Sequence, residues 1–96
     1  MILFGTDVGY LPNFDHAVEY ELMASAGLGW REILASLTVA PARRFNDERR
    51  KGRIQKGMDA DRAILGADPA LGARGFAAVR YTIRDGTVIF EAAPGR

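Results

Sequence analysis

The spacing of apolar and polar positions changes near the middle of this 96-residue chain. Residues 1–4, Met-Ile-Leu-Phe, form a continuous apolar run ended by Gly5, the pattern of a short strand buried on both faces. The stretch from Gly5 through Asn13 holds two glycines, a proline and an asparagine, which predict a loop. Asp15 is placed to cap a helix starting near His16. Val18, Leu22 and Ala26 recur every four residues with Met23 alongside, an apolar stripe at helical period, and Gly27 follows as a left-handed cap. Trp30, Ile33, Leu34 and Leu37 then repeat at i, i+3, i+4 and i+7, which predicts a second amphipathic helix with Gly29 at its N-cap. Thr38 can cap a further helical turn running to about Phe45, with Pro41 near its start.

Beyond this point the period shortens. Gly52 and Gly57 bracket a short Arg53-Ile54-Gln55 segment. Residues 61–65 read as a strand bounded by Gly66 and Asp68-Pro69, and residues 69–75 as a loop. Residues 79–84 and 87–91 flank Asp85-Gly86, the signature of a type I′ hairpin. A two-residue loop predicts the register: Arg84 faces Thr87, Ile83 faces Val88, Thr82 faces Ile89, Tyr81 faces Phe90 and Arg80 faces Glu91. Ile83, Val88, Tyr81 and Phe90 should then form a buried face, with Arg80 and Glu91 paired on the other.

Length makes this one small domain, since a closed (β/α)₈ barrel needs roughly 200–250 residues. Hydrophobic residues make up 48% and charged residues 26%, which argues against wholesale disorder. Cysteine is absent, which excludes disulfides and thiolate-based zinc sites. No run of apolar residues is long enough to cross a bilayer as a helix, and the N-terminus lacks the basic start of a signal peptide. The expected location is therefore cytoplasmic. A net charge of +1 gives no global reason to expect a nucleic acid or membrane partner.

That charge is unevenly distributed. Residues 1–42 carry five acids against one base, residues 43–56 seven bases against two acids, and the remainder five of each. The basic segment interleaves only Phe45 and matches no nucleic-acid-binding motif, so it reads as a solvated turn or a match for the acidic helical half. Asp7 is the sharpest chemical candidate. It follows a strand end in Phe4-Gly5-Thr6-Asp7, and the small residues around it leave room for a ligand or metal. A carboxylate there can ligate a divalent metal or act as a base; it can equally cap loop amides in an Asx-turn. His16, the single histidine, reads as a surface residue at a helix start. Glu19 and Glu21 cannot share a helix face and read as solvated.

Several ordered segments together resemble the C-terminal portion of the metal-dependent amidohydrolase superfamily, nearest its imidazolonepropionase-like and prolidase-like branch. They are Ile2-Leu-Phe-Gly-Thr-Asp7, Glu21-Leu-Met-Ala-Ser-Ala-Gly-Leu28, Ile33-Leu-Ala-Ser-Leu-Thr38 and Ala40-Pro-Ala-Arg43. Lys51-Gly-Arg-Ile54, Lys56-Gly-Met-Asp-Ala-Asp61 and Arg84-Asp-Gly-Thr-Val88 continue the series. The resemblance implies an α/β chain: the last strand and helices of a TIM-type (β/α)₈ barrel in residues 1–45, then C-terminal strands of the adjoining small β-sandwich, hairpin included, in residues 46–96.

The resemblance also implies chemistry. In such enzymes the aspartate matching Asp7 ligates a divalent metal, expected to be zinc, and shuttles a proton from metal-bound water during hydrolysis of a C–N bond in an amide, dipeptide or cyclic amide. The family's His-x-His strand, its carboxylated Lys or Glu and its further histidines have no counterpart here. Asn13 stands where some relatives carry a substrate-contacting histidine. The expectation is a C-terminal piece of a hydrolase with Asp7 as catalytic and metal-binding residue but no complete site, so that the isolated chain is inactive and binds no metal or other cofactor. The alternative is an assembly module that self-associates, or docks onto a chain supplying the missing barrel strands.

Overall fold

In this computed structural model, residues 2–5 and 16–93 are described. Three short helices lead into a three-stranded antiparallel sheet: α1 Ala17–Ser25, α2 Trp30–Leu37, α3 Val39–Arg44, β1 Arg62–Leu65, β2 Val79–Arg84 and β3 Thr87–Glu91. A 3₁₀ turn, Ala73–Ala77, stands between β1 and β2.

Helix α1 stops where the glycine predicts. Gly27 has φ +102°, its N–H donates to the Ala24 carbonyl at 3.0 Å, and Leu28 N–H donates to the Met23 carbonyl at 3.1 Å. These two bonds form a Schellman motif, which satisfies carbonyls that the helix end would otherwise orphan. The buried side of α1 differs from the expected stripe. Ala17 and Tyr20 are buried, whereas Val18 and Leu22 are 47% and 57% exposed. Apolar residues surround this helix on more than one side, and the larger ring of Tyr20 wins the core. Asp15, the expected cap, lies outside the described residues, and His16 occupies the N-cap position without a side-chain cap bond.

Helix α2 follows its sequence pattern. Ile33 is 1% exposed, and Trp30 and Leu37 pack around the same core, leaving Leu34 exposed. Gly29 caps it in extended conformation, and the Glu32 carboxylate accepts the Gly29 N–H at 3.3 Å. This is the half of a capping box that the N3 acid provides; glycine has no side chain to provide the other half. Thr38 occupies the N-cap position of α3 as expected, but without a side-chain cap bond: its hydroxyl donates back to the Leu34 carbonyl at 2.7 Å, an alternative local partner open to any Thr near a helix end. The core cluster is Tyr20, Ile33 and Phe76, with Phe4, Met23 and Leu65 packed against it. Phe76 comes from the 3₁₀ turn within and just after residues expected to be loop, and it ties the helices to the sheet.

The expected strand at residues 1–4 is not formed within residues 2–5. No ladder partner lies beside them among the described residues, and Ile2 and Leu3 are exposed. Among the described residues a backbone bond from Phe4 N–H to the Ser36 carbonyl at 3.2 Å fixes the segment against α2. A strand needs a neighbour to satisfy its alternating donors and acceptors.

The hairpin turn is type I′, with φ +49° at Asp85 and +77° at Gly86. Its register begins as expected, Arg84 opposite Thr87 and Ile83 opposite Val88, then slips: Thr82 faces Phe90 and Tyr81 faces Glu91. Ile89 is the extra residue of a β-bulge. Because side chains alternate with period two, the bulge moves Phe90 to the opposite face from Tyr81 and Ile83, so the predicted buried face does not form. Every residue of β3 is exposed. The expected pairing of Arg80 with Glu91 is also lost; Arg80 instead accepts the Ala92 N–H at 2.8 Å on its carbonyl. Strand β1 pairs with β2 on its other side, with a second irregularity between Ile64 and Leu65.

Candidate functional site

The candidate site is the end of the 2–5 segment, from which the chain runs toward Asp7. Thr6, Asp7 and Asn13 lie outside the described residues. Phe4 anchors the described side of this end. Its ring stacks on Tyr20 at 4.8 Å and 17°, and Tyr20 in turn tilts against Phe76 at 5.5 Å. The three rings run from the segment end through α1 to the 3₁₀ turn before β2. Burial holds the Tyr20 phenol above its ordinary pKa, so the hydroxyl stays neutral across physiological pH.

His16 corrects the expectation of a surface residue. It is half-buried, its ring lies 6.2 Å from Phe4, and its Nε2 is buried without a hydrogen-bond partner among the described residues. The chain therefore re-enters the described structure beside the point where it left. A groove of ≈ 350 Å³ opens along residues 2–5 and α1, lined mainly by Ile2, Leu3, Phe4, Leu22, Met23 and Leu28, with Glu19 at its border. A Cβ built on Gly5 would meet nothing within 4 Å. Glu19 and Glu21 diverge as expected, and Glu21 pairs with Arg74 of the 3₁₀ turn.

Metal-binding capacity can be tested on the donors present. Among the described residues no group of three His, Asp or Glu could hold a metal ion. A catalytic zinc takes three protein ligands, so these residues do not make up such a centre.

Two bases of the basic segment find their acids nearby, and among the described residues none of its bases pairs with the acidic helical half. Arg50 pairs with Asp59 at 3.2 Å, and Lys51 reaches Asp61 at 3.3 Å and Asp59 at 3.9 Å. Asp61 also accepts the Asp85 N–H of the hairpin turn at 2.9 Å, and Gly86 N–H donates to the Ala60 carbonyl at 3.0 Å. The Asp85 hydrogen bond, then the Lys51 bond, hold the Asp61 carboxyl below its ordinary pKa. This clasp was missed in the sequence, although two acids spaced by one residue after a basic run are a visible signal. Gly52 lets the basic turn close on α3: it has φ +96°, and a Cβ there would lie 3.0 Å from both the Ala42 Cβ and the Thr38 carbonyl oxygen.

Comparison with known proteins adds to this geometry. Residues 5–90 match the model of the Amidohydrolase family. The chain is similar to a Xaa-Pro dipeptidase with methionine bound in its active site, at 26% identity and a TM-score of 0.84, over 95% of this chain and 22% of that one. It is similar to a candidate prolidase from Bifidobacterium longum at 28% identity and a TM-score of 0.81, over 99% of this chain and 24% of that one. A molinate hydrolase shares the fold at 23% identity and a TM-score of 0.72, over 78% of this chain and 16% of that one. The chain thus spans a quarter or less of the length of these solved relatives. No curated protein matches it. Among the described residues no helix is long and apolar enough to cross a membrane. With most of its length matched, the chain belongs to the amidohydrolase family, within the metal-dependent superfamily built on the TIM barrel.

Proposed function

We propose that this chain is the C-terminal part of a metal-dependent amidohydrolase of the prolidase-like branch, which hydrolyses a C–N bond in a dipeptide, amide or cyclic amide. The observation that carries the reading is the match over residues 5–90 together with the likeness to a dipeptidase of which the chain spans 22%. On this reading residues 1–45 belong to the barrel and residues 46–96 to the β-sandwich beside it. Asp7 contributes one carboxylate to the metal centre, expected to hold zinc, and accepts a proton from the attacking water. The other ligands come from outside this chain. The isolated chain is accordingly inactive.

A chimera tests this directly. Residues 1–96 replace the corresponding part of a Xaa-Pro dipeptidase, and turnover of a Xaa-Pro dipeptide is followed with zinc present. Activity in the chimera, lost on Asp7→Asn with folding intact, is the expected result. A folded chimera whose activity is unchanged by that substitution would remove Asp7 from the chemistry.

The second reading, an assembly module, is favoured by one observation. Ile2, Leu3, Val18, Leu22, Val88, Ile89 and Phe90 are all exposed, on both the helical and the sheet side. Apolar surface of this extent and an open strand edge call for a covering partner, either a second copy or a chain supplying the remaining barrel. Sedimentation velocity at rising concentration tests the self-associating form: a mass increase supports it, and a constant monomer opposes it.

A further inference from the structure

The charges of the turn after α3 divide into two groups. Arg50 and Lys51 are matched by Asp59 and Asp61. Arg43 and Arg53 form no ion pair among the described residues, and one Arg53 nitrogen donates to the Glu48 backbone carbonyl at 3.2 Å. Both arginines line a cleft of ≈ 230 Å³, together with Val39, Ala42, Glu48 and Lys51. Ala42 is buried, and the turn is drawn close over it by Gly52. This cleft shares no lining residue with the groove beside Gly5.

The chemistry of this lining is specific. Three cationic side chains stand against one carboxylate, and Lys51 already has its aspartates. The two arginines are left with guanidinium N–H groups that have no anionic partner among the described residues. A guanidinium presents up to five donors in a rigid plane that matches an oxyanion bidentately. Both arginines are exposed and hydrated, so a neutral or cationic ligand would displace that water without offering their N–H groups an anionic acceptor. The volume exceeds the roughly 30 Å³ share of one water several times over, which admits a tetrahedral oxyanion with its remaining hydration.

We propose that the cleft between α3 and the basic turn binds an oxyanion of the phosphate class, held by Arg43 and Arg53. The site is independent of the hydrolase reading and needs neither metal nor Asp7. Glu48 weakens it by placing a like charge at its rim, and Lys51 adds positive potential while remaining tied to Asp59 and Asp61.

Titration of the full chain with inorganic phosphate at low ionic strength, followed by calorimetry and by amide NMR shifts, tests the proposal. Saturable binding with shifts at residues 42–53 is expected. Arg43→Ala and Arg53→Ala should each weaken it about tenfold, the worth of one charge-assisted contact, and Arg53→Lys should weaken it by losing the fork while keeping the charge. Glu48→Gln should tighten it about twofold, and Lys56→Ala, outside the cleft, should leave it within about twofold. Circular dichroism verifies that each variant is folded. Absence of saturation in the unsubstituted chain would overturn the proposal. So would an equal loss in Lys56→Ala and Arg43→Ala, which marks a diffuse basic surface in place of a site.

Discussion

Phe4 and Tyr20 stack with ring centroids 4.8 Å apart and planes 17° from parallel. This contact joins the segment leading to Asp7 to the helical core, and Tyr20 passes it on to Phe76 before the sheet. Tyr20→Ala should lower stability by about 3–5 kcal/mol, the range for removing a buried aromatic. Tyr20→Phe keeps both ring contacts and should cost less than about 1.5 kcal/mol. Urea denaturation of the two variants measures the difference; equal losses would show that the hydroxyl, not the rings, is what matters.

Two glycines with similar dihedral angles should respond differently to alanine. Gly52 and Gly57 have φ +96° and +89°, but only Gly52 lacks room, with contacts at 3.0 Å to Ala42 and Thr38. Gly57→Ala should cost about 1–2 kcal/mol, the ordinary penalty of a left-handed conformation. Gly52→Ala carries that penalty and overpacking of about 1–3 kcal/mol besides. Melting temperatures of the pair check the order.

Much of this architecture is legible in the chain. Gly27, the α2 repeat from Trp30 to Leu37 and the Asp85-Gly86 turn each carry a strong local signal, and each is found where expected. The misses share a cause. Which side of α1 is buried, and where the hairpin slips at Ile89, depend on which distant groups are present to pack or pair, and local periodicity holds no information about them. Residues 1–4 read as a strand because their composition suits one with neighbours on both sides; residues 2–5 have none among the described residues. The clasp of Asp59 and Asp61 needs four residues spread over residues 50–61 to meet, and net charge per segment, which leaves a solvated turn or a match to the helical half, does not say which acid meets which base. At the candidate site, Asp7 and Asn13 rest on the sequence alone, whereas the packing of His16 against Phe4 came only from the structure.

Acid should loosen the clasp in a predictable direction. The folded-state pKa of Asp61 lies below its unfolded value, chiefly through the Asp85 N–H and then Lys51. Its contribution is therefore present above the unfolded pKa and disappears as pH falls through the folded one. Stability measured from pH 7 downward should fall less steeply in Asp61→Asn than in the unsubstituted chain. Parallel pH profiles would show that the carboxylate contributes nothing through its charge.

The open edge of β3 should govern association. Val88, Ile89 and Phe90 are exposed on the last strand of the sheet, and no charge interrupts them. Ile89→Lys places a charge at the bulge, where it disturbs no ladder pair. Sedimentation velocity should show less self-association in that variant; unchanged association would move the contact surface to the groove along α1.

The proposed role of Asp7 is to supply one carboxylate of a metal centre completed elsewhere. The most direct measurement is hydrolysis of a Xaa-Pro dipeptide by the purified chain with added Zn²⁺, alongside Asp7→Asn. No turnover above the metal-only background is predicted for either protein. Robust zinc-dependent turnover by the unsubstituted chain, abolished in Asp7→Asn, would contradict the claim by showing that these 96 residues suffice for catalysis.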